Sequence, residues 1–250
     1  MQIQVFTGNS MRNVLNELVP QFERASGHRV SISYDPAQIM LKRIASGESA
    51  DLAFLGEPAI DELIRQGKIT AASRRAIARL AAGIGVRAGA PHPDISSVEA
   101  FKRMLLNAPS IAYASEGASG IYFAGLIERL GIAAQVKSKA RTRPGGLVGE
   151  LVISGEAEIA VQQIPELMAV PGIEVVGPFP AELQKISVTT AGIFANSSQP
   201  DATRMLLDFL TTPAAARVFK AKGLDRMALT LAFWGGHVCE CMRVPAHVVW

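Results

Sequence analysis

Short apolar runs alternate with amphipathic stretches from the first residues of the chain. Ile3-Gln4-Val5-Phe6 reads as a strand that stops at Thr7-Gly8-Asn9. From Ser10 onward, apolar residues fall at Met11, Val14, Leu15, Leu18, Val19 and Phe22, the spacing of one helical face. Ser10 stands where an N-cap is favoured, and Gly27 ends the pattern. Residues 30–34 form a second strand and 40–44 a short helix closed by Gly47. Residues 50–55 form a third strand, apolar enough for burial on both faces. A helix over 59–65 stops at Gly67. Residues 1–70 therefore read β-α-β-α-β-α, the pattern of a wound parallel sheet.

Residues 77–86 (IARLAAGIGV) are extended, apolar and rich in small residues. After a Pro-rich loop come a helix over 98–106, a strand over 110–113, a loop from Ala114 to Gly120 and a helix over 121–130. A further helix follows Pro144-Gly145-Gly146. A strand at 159–161 then runs into Gln162-Gln163-Ile164-Pro165-Glu166, completing a second βαβ unit. Residues 188–194 return as an apolar strand, and helices over 201–210 and 214–222 close the pattern.

The two extended stretches, about 77–86 and 186–195, bracket the second unit. The expected fold class is α/β, with two lobes, each a wound, mostly parallel sheet flanked by helices, joined by two hinge strands. Lobe I takes residues 1–80 plus 195–227, lobe II takes 81–194 including the hinge strands, and a cleft lies between them. Residues 228–250 form an atypical C-terminal tail. It holds both Trp and both Cys residues, lacks periodicity and is expected to lie outside the fold.

Composition narrows the function. Of 250 residues, 49% are apolar and 19% charged, which excludes an intrinsically disordered chain. The net charge is only +3 and the basic residues are scattered, which argues against a nucleic-acid binder. No apolar run approaches the ~18–20 residues that span a bilayer. Cys239 and Cys241 are the only cysteines, so no disulfide framework is expected. There is no phosphate-loop motif. Gly83-Ile84-Gly85 lies within a strand, and the Cys-x-Cys of the tail lacks the second pair of a zinc site. No cofactor or metal is expected.

Three strand-to-helix turns carry the candidate chemistry: Thr7 to Arg12, Ser115 to Gly120, and Arg143 to Gly146. Each presents unpaired backbone N–H groups at a helix start, where anions bind. Each lies at the carboxyl end of a strand, where α/β sheets hold ligands. Gln162 and Gln163 end a buried strand with their amides directed toward the same cleft or toward capping the next helix. Arg12, Arg141 and Arg143 are candidates to neutralise a bound anion. Candidate ligand contacts are Ser10, Met11, Ser119, Gly120, Gly145, Gly146, Gln162 and Gln163.

The segments "VFTGNSMRNVLNELVPQFERASGHRV", "SADLAFL", "GASGIYFAGLIERLG", "SGEAEIAVQQ" and "AAARVFKAKG", in this order and spacing, bring the chain close to a known family. Over residues 2–227 it resembles the periplasmic molybdate-binding proteins of ABC transporters, with the type 2 periplasmic-binding-protein fold. The resemblance implies capture of a small anion between two lobes by hinge closure, delivery to a transporter permease, a monomer and periplasmic residence. No signal peptide is visible in the opening residues; without the resemblance the expected location is the cytoplasm. Family members hold a tetrahedral oxyanion with two Ser hydroxyls, backbone N–H groups and a Tyr. Ser10 matches the first Ser, while Ser119 and Gly145 match residues that supply backbone N–H groups. Pro36 or Ala37 stands at the second Ser and Gln163 at the Tyr, which shifts the expected ligand from molybdate toward an organic carboxylate. The motifs "GASGIY", "RPGG" and "QQIPE" are similar to a subgroup that includes aconitate isomerases. This gives the alternative of allylic proton transfer, with Asp35, Glu57, Glu116 and Tyr122 as candidate bases that no sequence neighbour singles out.

Overall fold

The computed structural model describes residues 2–226, so the expectation for the 228–250 tail lies outside the described residues. β1 (Gln2–Thr7) enters a single 3-10 turn at Asn9–Met11 before α1 (Arg12–Ser26). There follow β2 (Arg29–Tyr34), α2 (Ala37–Ala45), β3 (Leu52–Gly56), α3 (Glu57–Arg65) and β4 (Arg75–Leu80). At Ala81 the chain crosses into a second sheet. It builds β5 (Ala82–Arg87), α4 (Val98–Asn107), β6 (Ile111–Ala114), α5 (Ala118–Arg129), α6 (Ala133–Lys137) and β7 (Ala140–Arg143). Next come α7 (Gly149–Ile153), β8 (Ile159–Gln163), α8 (Ile164–Leu167) and β9 (Ile173–Pro178). Residues 179–186 lead back to β10 (Ser187–Ile193), α9 (Pro200–Leu210), α10 (Pro213–Ala221) and β11 (Asp225–Arg226).

The first sheet has the order β11-β4-β10-β3-β1-β2 and the second β7-β6-β8-β5-β9. Strands linked by helical crossovers pair in parallel: β1 with β2 and β3, and β6 with β7 and β8. Strands that enter or leave a lobe pair antiparallel: β10 with β3 and β4, and β5 with β8 and β9. Both sheets are therefore mixed rather than mostly parallel, because the strands that enter and leave each lobe run against the crossover strands, and the fold is the expected two-lobed α/β architecture.

Alternation places the core. Ile3, Val5, Leu52 and Phe54 pack on α1, α9 and α10 on one face of the first sheet. Phe6, Ala53 and Leu55 pack on α2 and α3 on the other. In the second sheet Ile111 and Val161 meet α4, α5 and α6, while Ala112 and Ala160 meet α7 and α8. Each large side chain fully buried in these layers contributes roughly 1.5–3 kcal/mol.

Two details differ from the sequence reading. The stretch 77–86 is two strands, one in each sheet, broken at Ala81. Residues 187–193, grouped above with the second lobe, hydrogen-bond into the first sheet, where Ala191 faces Phe54 and Ile193 faces Leu52.

Candidate functional site

The carboxyl ends of β1, β3, β6 and β8 face one another across a cleft of about 350 Å³, at the small end of the ~300–1,000 Å³ range of ligand pockets. The first lobe supplies Gly8–Ser10, Asp35–Ala37 and Phe54–Pro58; the second supplies Gly117, Ala118, Gly145, Gly146, Gln162, Gln163 and Glu166; the returning segment adds Lys185 to Thr189. The lobes touch at the mouth, where Gly145 lies against the ring of Pro36. They touch again at the back, where Gly223 of the first lobe lies against Met168 and Ile164 beside α8. The two lobes are therefore in contact at both places.

Ser10 lines the cleft, but not as a helix cap. The 3-10 turn moves the start of α1 to Arg12, and neither N-cap position makes a side-chain bond. The Ser10 hydroxyl has no hydrogen-bond partner among the described residues and is free for a ligand. Gln163 also lines the cleft with its side-chain amide unpaired. Gly145 and Gly146 line it as a bare backbone loop. Gly146 has φ 84°, a left-handed conformation that favours glycine.

Gln162 is 2% exposed, and its amide is committed at both ends. Its Oε1 accepts from Val148 N–H at 3.0 Å and its Nε2 donates to Gly146 C=O at 2.7 Å. It therefore positions the Gly145-Gly146 loop. Met11 is fully buried in the core beneath the first sheet, and its N–H bonds Gly8 C=O. Its side chain is part of the α1 packing and not of the cleft lining. Gly120 also lies outside the cleft. There α5 approaches β6 so closely that a methyl at Gly120 would overlap the carbonyl oxygen of Ala114. Gly120→Ala is expected to destabilise the fold by about 1–3 kcal/mol through overpacking, read as a lower urea midpoint. An unchanged midpoint would show that α5 can shift freely. Ser119 lines not this cleft but a smaller pocket that adjoins it.

None of the three arginines lines the cleft. Arg12 binds Asn9 and stacks on Tyr34, Arg141 is exposed, and Arg143 pairs with Glu150 at 3.0 Å. The cation present is Lys185, which sequence reasoning missed because it sits in the linker before β10 rather than in a strand-to-helix turn. Lys185 forms no ion pair among the described residues. Of the candidate bases, Asp35 is ion-paired to Arg43, Glu57 bonds Arg74 at 2.6 Å, Glu116 lies outside the cleft, and the Tyr122 hydroxyl donates to Leu183 C=O at 2.7 Å.

The carboxyl that stands out is Glu166, on the first turn of α8. Burial pushes it up to about 8, against the opposing pull of the Gln163 backbone and the Gln162 side chain. At neutral pH it is mostly uncharged and can donate a hydrogen bond. Its only sequence signal was its place after Gln-Gln-x-Pro at a strand's end. Among the described residues, no group of three or more His, Cys, Asp or Glu is arranged to hold a metal ion, and no helix is long and apolar enough to cross a membrane.

Residues 3–225 match the family model described as bacterial extracellular solute-binding protein. An aconitate isomerase of Pseudomonas sp. is 34% identical over 228 residues, covering 89% of this chain and 87% of that one. The molybdate-binding protein of Escherichia coli is 23% identical, covering 89% and 88%. The solved periplasmic molybdate-binding protein of Azotobacter vinelandii superimposes with a TM-score of 0.74 at 19% identity, covering 89% of this chain and 98% of that one. With the match running from β1 to β11 and both lobes of the cleft inside it, the chain belongs to the bacterial extracellular solute-binding protein family.

Proposed function

We propose that this protein captures a small organic carboxylate anion between its lobes. One observation carries the reading: Lys185 is the cation that lines the cleft, and it forms no ion pair among the described residues. Asp35 and Glu57 are paired with Arg43 and Arg74, which also hold Glu48 and Asp61, and burial raises the Glu166 pKa to about 8. The free Ser10 hydroxyl and Gln163 amide, with the helix-start N–H groups of α5, supply uncharged donors. A carboxylate fits these donors better than molybdate, because Ala37 and Gln163 stand where the molybdate-binding relatives are expected to carry hydroxyls. The family supports residence outside the cytoplasmic membrane and hand-over to an ABC transporter permease.

A thermal-shift and calorimetry panel of molybdate, sulfate, citrate, cis-aconitate and trans-aconitate tests the reading. A carboxylate should raise the melting temperature by mass action, and Ser10→Ala should weaken its binding about tenfold, the loss of one hydrogen bond to a charged group, without unfolding the chain. A shift with molybdate alone would sink it.

A second reading is favoured by Glu166 and by the aconitate isomerase relative. An acid–base group is most effective when its pKa lies near the working pH. Glu166 meets that condition inside the cleft, where a bound tricarboxylate would present its acidic C–H. The carboxylate would take the allylic proton and return it at the far end of the shifted double bond. Steady formation of cis-aconitate from the trans isomer, beyond one equivalent, would establish it.

A further inference from the structure

At the mouth, the first lobe meets the second through the turn Asp35-Pro36, and beside that turn stands Arg43 of α2, outside the cleft lining. Resting on the capture reading above, we infer that Arg43 is a positioning residue for lobe closure: it fixes the Asp35-Pro36 turn in the shape that Gly145 of the second lobe docks against, without touching the captured anion.

One guanidinium engages four groups. Its Nη1 donates to the Asp35 carboxylate and, at 2.9 Å, to the Ser33 hydroxyl near the end of β2. Its Nε donates to Glu48 at 2.8 Å, and its Nη2 pairs with the same carboxylate. Its Cζ lies 4.7 Å from the centroid of the Phe6 ring, a cation over an aromatic face. Phe6 is buried in the core between β1, α2 and α3, so the guanidinium rests on a fixed base. The planar fork of arginine serves several partners at once because its donors are rigidly set. The Asp35 N–H donates to Thr7 C=O at 3.1 Å. The turn is thus tied to β1 by its backbone and to α2 by its side chain. Its next residue, Pro36, is the one that Gly145 meets, so closely that no side chain fits between them.

Asp35, Arg43 and Glu48 are all partly exposed, and ion pairs in contact with water add little to the stability of a fold. The network acts on shape instead. A turn that is already held before the lobes meet has less conformational freedom to lose on closing, which raises the affinity for whatever is enclosed. Gln162 holds the Gly145-Gly146 loop in the same way from inside the second lobe, so both sides of the mouth contact are set in advance.

The test is calorimetric binding of trans-aconitate to the wild type and to Arg43→Gln, Arg43→Lys, the double variant Asp35→Asn with Arg43→Gln, and Arg43→Gln in the Gly145→Ala background. Molybdate replaces trans-aconitate as the probe if the wild type binds molybdate alone, since closure serves either anion. Affinity should fall about fivefold in Arg43→Gln. It should fall as far in the Asp35→Asn double variant, where no carboxylate is left bare to repel an anion. Arg43→Lys, which restores a cation beside Asp35, should regain part of the loss. In the Gly145→Ala background, Arg43→Gln should cost less than about twofold, because both substitutions act through one contact. The ligand-free melting temperature of Arg43→Gln should stay close to that of the wild type. Wild-type affinity in Arg43→Gln, or in the double variant with Asp35→Asn, would overturn the proposal. Losses that add in full with Gly145→Ala would place the effect of Arg43 elsewhere and overturn it too, as would a large drop in the ligand-free melting temperature, which would make Arg43 a residue of the fold. Binding of molybdate alone would overturn the carboxylate reading and leave the role of Arg43 to be judged by the molybdate affinities. A wild-type protein that binds neither probe would overturn the capture reading and the role of Arg43 with it.

Discussion

Replacing Gly145 by Ala should leave the protein folded and weaken trans-aconitate binding about 10- to 100-fold, a loss of roughly 1.4–2.8 kcal/mol. The glycine is not needed for a left-handed backbone, since its φ is not positive. What it allows is contact: an added methyl would overlap the ring of Pro36 on the opposite lobe. The clash exists only when the lobes are shut, so it raises the free energy of the closed state and leaves each lobe's core untouched. A ligand that draws its affinity from both lobes must then bind against that penalty. Calorimetry reads the affinity. Small-angle scattering with saturating trans-aconitate should show the variant more extended than the wild type. Wild-type affinity in Gly145→Ala would mean that the 143–146 loop yields, and that the mouth contact does not limit closure.

The second large effect is expected at Glu166. Its folded-state pKa of about 8 lies above the unfolded value near 4.5, so the folded protein holds a proton that the unfolded chain releases. The associated stability is fully present below about pH 4.5 and is lost as the pH rises toward 8, at no more than about 1.4 kcal/mol per pH unit. Glu166→Gln removes the titration. Its melting temperature should match the wild type near pH 4.5 and exceed it by a margin that grows to about pH 8 and then levels. In the wild type, trans-aconitate affinity should fall above pH 8, where an ionised Glu166 repels the ligand; in Glu166→Gln that fall should vanish. If the site also isomerises its ligand, Glu166→Gln should bind trans-aconitate and form no cis isomer. Parallel pH profiles of stability in the two proteins would remove Glu166 from this role.

The fold was largely legible because its signals are local. The helical spacing of Met11 to Phe22 and the apolar run at 50–55 identified α1 and β3 without knowledge of what they pack against. Elements without such patterns escaped. β7 is the polar edge strand ARTR, and α8 is four residues long, too short to show a helical period. The site was legible in part for the same reason. Glycine and serine turns after strands point to Ser10, Gly145 and Gly146 because the turn chemistry is written in adjacent residues. The roles of Gln162 and Gln163 could not be told apart, since they depend on which amide meets Gly146 and Val148 some fifteen residues away. Glu166 and Lys185 owe their properties to burial and to missing partners, which only the assembled lobes create.

The path of the chain has a consequence for how the molecule is made. The second lobe is built from one uninterrupted stretch, with a core that runs from Ala82 to Phe179. The first lobe's core joins Ile3 and Val5 to Phe219 and Leu224, so its sheet waits for β10 and its helical layer for α9 and α10. During synthesis the second lobe can close on itself while the first is held open for lack of its final segments. β3 and β4 lack the strand that β10 later supplies between them through that interval. Long-range pairing of this kind is slow, which makes completion of the first lobe the late step of folding and its open edge the point where a newly made chain is most prone to aggregate.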